Sequence, residues 1–301
     1  MGRAVGPGLG GRRRALEFVD EFATAWTRPL VREDGYGQDV LRSVEEHLGV
    51  RLPAALREVY SVLGKRTDLT ARQDPLLPPG RLRVDQAEAV LVYRRENQAC
   101  AEWGVAVTDP RTPGDPPVFV RRTDGRTWEP FAVRMSLACA EMVLSEVLLG
   151  AEFMAMCDLS GAPATAAAQS LYQRVALPDY PLWYDTAVTS RWFAAPGKLL
   201  RIDGQGPYCW LIAAGQTHND LKSICAAIPG DWQKALLSVR RRSGFPGVPV
   251  CPPERADLSR RKPRLVTPEA RSCREEAASA QPLLVSLRLC RGLGHWPAGW
   301  P

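Results

Sequence analysis

Asp109, Asp115, Asp124 and Glu129 crowd one short stretch of the chain. Carboxylates at that density could supply the acid and base of a glycosidase-like site, or an acidic patch that steers a basic partner into place. Ordinary turn chemistry competes with both readings. Asp109 and Asp115 precede Pro and Asp124 precedes Gly, which is how Asp is used in turns. Where turns do not account for these four residues, partner binding does, and they are the candidate partner-binding residues.

Other reactive groups are sparse. The three histidines, His47, His218 and His295, lie far from any Cys at ligand spacing, so no metal site is expected. His47 follows Glu45-Glu46 and reads as solvated. His218 precedes Asn219-Asp220 at a helix start that Thr217 or Asn219 would cap. Eight Cys are scattered without a C-x-x-C pair, which reads as free thiols in a reducing compartment. No Gly-x-Ser-x-Gly is present. The Gly-rich stretches at Gly2–Gly11 and Gly204–Gly206 lack the Lys-Ser/Thr of a phosphate cradle. No catalytic residue, metal or cofactor is therefore nominated.

Charge divides the chain. Residues 1–14 carry four Arg and no acid, and residues 240–301 carry 12 Lys+Arg against 5 Asp+Glu. Residues 15–239 hold 23 bases and 28 acids, a net of −5. The basic pI belongs to the ends, and an acidic middle favours a basic partner over nucleic acid. The Arg runs near the ends are the only place where nucleic acid could associate, through phosphates. No signal-peptide pattern or membrane-length apolar run is evident, so a cytoplasmic protein with no membrane partner is expected.

The elements that must position these residues follow from hydrophobic periodicity. Residues 1–14 read as a flexible basic leader, and a short helix spans 15–26. Asp39 is placed to cap a helix that Gly49 ends, and Pro53 to open a second helix that Gly64 ends. Residues 65–80 read as a loop. Strands are predicted at 89–93, 103–107 and 118–121, with linkers too short for crossovers, hence an antiparallel meander. Residues 137–156 read as helix, 162–168 as loop or helix start, 199–202 and 208–212 as a second strand pair, and 221–228 as a helical stripe. Trp103, Trp128, Trp183, Trp192, Trp210 and Trp232 are assigned mainly to the core, with partly exposed members as interface anchors. Residues 239–301, rich in Pro and Arg without a period, read as a disordered tail.

The motif order resembles the SUKH superfamily of cell-wall-synthesis regulators and bacterial toxin-immunity proteins. Glu45-Glu-His-Leu-Gly49, Leu52-Pro53, Leu56-Arg57, Tyr60 and Gly64 look like its opening helical hairpin. Glu96-Asn97-Gln98 before Trp103-Gly104, and Asp115-Pro-Pro-Val118, look like its strand motifs. Trp128, Phe131 and the helix from Ser136 look like the end of its core, so the resemblance covers residues 39–150. Gly64-Lys-Arg departs from the family's Asn-Gly turn. The resemblance implies an α+β fold, a mixed, mostly antiparallel sheet flanked by helices, filling residues 15–238. It implies no catalysis and a protein partner, such as a basic toxin domain neutralised by stoichiometric binding. A regulatory scaffold bound to an endogenous client, or nucleic-acid association through the tails, is the alternative.

Overall fold

In a computed structural model of the protein, residues 9–107, 114–125, 127–159, 162–205 and 208–234 are described. The expected tail at 239–301, and Asp109, lie outside them. Every strand pairing among the described residues is antiparallel, and the fold is α+β with two sheets rather than one.

The first helix, α1 (Arg12–Trp26), starts three residues earlier than the periodicity predicts. Arg13 and Arg14 pair with Glu17 one turn on, and Arg12 reaches Glu58 at 2.8 Å, so these bases belong to the helix and not to a leader. The helical hairpin forms as expected from α2 (Gln38–Leu48) and α3 (Ala54–Leu63), with Gly49 in the left-handed region at φ 68°. Asp39 lies inside the first turn rather than at the cap, which is Gly37. Gly64 ends α3 for a different reason than a positive φ. Its φ is −60°, and a Cβ there would come within 2.8 Å of both the Tyr36 ring and the Tyr60 carbonyl. The segment expected as a loop contains a short helix, α4 (Thr67–Thr70).

The meander is β1 (Arg83–Asp85), β2 (Val90–Arg95), β3 (Ala101–Ala106), β4 (Val118–Arg122) and β5 (Glu129–Ala132), paired in chain order. Next comes α5 (Met135–Leu149), buried from Met135 through Leu148. A helix with apolar residues on every side belongs inside a protein, and α5, although it carries Glu141 and Glu146, forms the centre of the main core.

The expected helix to Met156 is corrected here. It ends at Leu149, Gly150 follows, and β6 (Phe153–Asp158) carries the remaining apolar residues. Apolar residues on either side of Gly150 are too dense to show a period that separates buried helix from buried strand. After α6 (Ala162–Leu171) come β7 (Gln173–Arg174), β8 (Tyr180–Leu182), β9 (Asp185–Ala195), β10 (Lys198–Gln205), β11 (Tyr208–Gly215), α7 (His218–Ala227) and β12 (Asp231–Lys234). The second sheet runs β12-β6-β11-β10-β9-β7, with β8 on β9. Its central strands β6, β10 and β11 bury residues on both faces. Met154, Met156, Leu199 and Ile212 join the core around α5, while their neighbours Ala155, Cys157, Leu200 and Leu211 join a second core under α7. Thr217 caps α7 by accepting the Asp220 amide at 3.1 Å. The described residues belong to one unit spanning residues 1–241, and no described helix is long and apolar enough to cross a membrane.

Candidate interaction surface

The β4–β5 hairpin presents two of the four candidate acids together. Its turn closes by the Gly125 amide donating to the Arg122 carbonyl at 3.0 Å. Arg122 grips Asp124 with both arms, Nε to Oδ1 at 2.9 Å and Nη2 to Oδ2 at 2.6 Å. That guanidinium holds the Asp124 carboxyl below the usual carboxylate range, yet the side chain is 68% exposed. Glu129, across the turn at the start of β5, is exposed and accepts the Thr186 hydroxyl. Arg122 also donates to the Tyr184 carbonyl at 3.2 Å. The hairpin end is thus tied to the β8–β9 turn of the second sheet.

Trp128, the residue before Glu129 in the chain, is half-buried. The Arg121 guanidinium lies 4.5 Å from its ring centroid, a cation–π contact. The far edge of its ring covers Gly104, where a Cβ would come 3.1 Å from Trp128 Cη2 and 2.3 Å from a Val90 methyl. Arg121 itself is fixed by Asp85 at 2.7 Å and Glu102 at 3.6 Å, and Glu102 also pairs with Arg83. This ionic lattice on the outer face of the first sheet holds the indole upright, an arrangement that sequence spacing did not indicate. Trp103 and Trp192 are fully buried, and Trp183 and Trp210 pack partly buried against the main core.

Asp115 is at the other end of β4, away from the hairpin turn. Its carboxylate accepts the Ser136 amide at 2.7 Å and the Ser136 hydroxyl at 2.6 Å, so it is committed to the start of α5. The structure brings together Asp124 and Glu129, and not Asp115.

No group of three His, Cys, Asp or Glu among the described residues could hold a metal. His47 and His218 are exposed, the latter 6.0 Å from the Phe153 ring. Burial pushes the Cys139 thiol far up and the Cys157 thiol to about 11, away from the thiolate form a nucleophile needs. No protein-family model matches the chain, nor does any curated protein or solved structure.

Proposed function

We propose that the chain is a non-catalytic protein-binding module, an immunity-type protein that neutralises a toxin by stoichiometric binding. The observation that carries this reading is the β4–β5 hairpin, which presents exposed Asp124 and Glu129 at its end and a half-exposed Trp128 on the outer face of its braced sheet. An aromatic anchor in a polar rim is the usual make-up of a binding hot spot. Exposed acids in a domain of net negative charge would speed encounter with a basic partner. The ordered motifs that resemble the SUKH superfamily support the same reading. The partner expected is a basic toxin domain met in the cytoplasm.

The test is co-expression of the full chain with products of neighbouring genes, followed by measurement of complex stoichiometry and toxin activity. A 1:1 complex in which the toxin loses activity supports the proposal. Capture of an endogenous client alone, with no effect on any neighbouring product, would replace it with the scaffold reading.

A further inference from the structure

Four ionisable side chains meet in the interior from three parts of the fold. Asp74 comes from the segment after α4, Arg94 from β2, and Glu141 and Glu146 from α5. None of these side chains is more than 11% exposed. Arg94 donates to the Asp74 carbonyl at 3.0 Å, to Glu141 at 3.2 Å and to Glu146 at 3.1 Å. Glu146 is the best supported carboxylate. Besides Arg94 it accepts the backbone amides of Arg72 and Gln73, each at 2.6 Å, and of Asp74 at 2.9 Å. Glu141 accepts the Ser145 hydroxyl at 2.5 Å.

The Asp74 carboxyl is the exception. Its Oδ1 is buried with no hydrogen-bond partner, and its Oδ2 lies 3.9 Å from Arg94. Glu96 faces it from the β2–β3 turn, where the Asn97 amide also contacts it. Three carboxylates around one guanidinium leave negative charge unmatched, and a buried unmatched charge is removed most cheaply by binding a proton. Asp74, with the fewest donors, is the group placed to take that proton.

We propose that Asp74 is a proton-operated latch: protonated, it lets the Arg72–Asp74 segment stay seated on Glu146, and ionised, it drives that segment off. Burial raises the Asp74 carboxyl to about 6. The Arg94 charge opposes the rise, Glu146 and Glu96 add to it, and the Asn97 amide opposes it. The folded value lies above that of an unfolded carboxyl, so the stabilisation is complete at low pH and is lost as pH rises through about 6. Arg72 and Glu146 also line a cleft of about 210 Å³ with Trp26, Asp68, Glu152 and Gln216. Release of the segment would reshape that surface.

The experiment uses the full chain between pH 5 and 8. Carboxyl NMR follows Asp74 directly, and hydrogen exchange follows the amides of residues 72–74. The expected result is an Asp74 midpoint near 6, with amide protection falling about tenfold across the range. Asp74→Asn, which cannot ionise, should show flat protection. A midpoint near 4, flat protection in the wild type, or an unchanged pH dependence in Asp74→Asn would each overturn the latch.

Discussion

The Asp115 carboxylate caps a helix through a residue 21 positions downstream, holding the Ser136 amide at 2.7 Å and the Ser136 hydroxyl at 2.6 Å. Ser136 is the second residue of the buried α5, where amides have no partner within the helix. Asp115→Ala should therefore cost about 1–2 kcal/mol of stability, read from urea unfolding. Partner affinity should hardly change. A loss of affinity without a loss of stability would return Asp115 to the binding surface.

Charge reversal at the hairpin end should act on association. Asp124→Lys with Glu129→Lys should slow the on-rate for a basic partner, most visibly at low salt, because screened surface charges act on encounter. Trp128→Ala should instead speed dissociation and cost about 2 kcal/mol or more of binding if the indole is an anchor. Surface plasmon resonance at two ionic strengths separates the two effects. Unaltered kinetics in both variants would place the interface elsewhere.

Arg94 matches buried charge on α5, and its guanidinium also lies 4.6 Å from the Trp103 ring centroid. Arg94→Leu leaves Glu141 and Glu146 without their shared cation, and breaking a buried pair in this way costs about 3–5 kcal/mol. Thermal or denaturant unfolding should show it as one of the more damaging single changes in the chain. A cost below about 1 kcal/mol would mean the carboxylates find water when Arg94 is gone.

Ala99 in the β2–β3 turn has φ 64°, in the left-handed region that glycine favours. Around it, Glu96 accepts the amides of Gln98 at 2.8 Å and Cys100 at 3.0 Å, fixing the turn. Ala99→Gly should therefore stabilise the protein by about 0.5–1 kcal/mol, seen as a higher Tm. A lower Tm would mean that chain entropy outweighs the relief of strain.

Acid should act through Asp34 in the direction opposite to Asp74. Hydrogen bonds from Arg28 at 2.7 and 2.5 Å hold the Asp34 carboxyl well below the usual carboxylate range, helped by the Val31 amide and Arg66. A folded value below the unfolded one gives stability that is full above the carboxylate range and is lost as pH falls through it. Asp34→Asn should flatten the acid side of the stability profile while lowering the plateau. The same acid slope in wild type and variant would assign acid unfolding to other carboxylates.

Much of the architecture was already determined by the sequence, because its signals are local. The α2–α3 hairpin follows from apolar residues at helical spacing with Gly49 at the turn. The β2–β3–β4 meander follows from apolar runs joined by short linkers, and a cap at Thr217 or Asn219 is legible at the start of α7, of which the structure uses Thr217. Tertiary structure decided the rest. The apolar residues after Gly150 became a strand because β11 and β12 lie on either side of them, which no periodicity in a fully buried run records. Arg94 turned inward because the β2–β3 register shifts between Val92 and Arg94. A bulge breaks the alternation that would have kept it on Val92's face, and its carboxylate partners are 47 and 52 residues away. The four acids looked alike in sequence. Distance in space separated Asp115, which a helix terminus consumes, from Asp124 and Glu129, which one hairpin end leaves facing solvent.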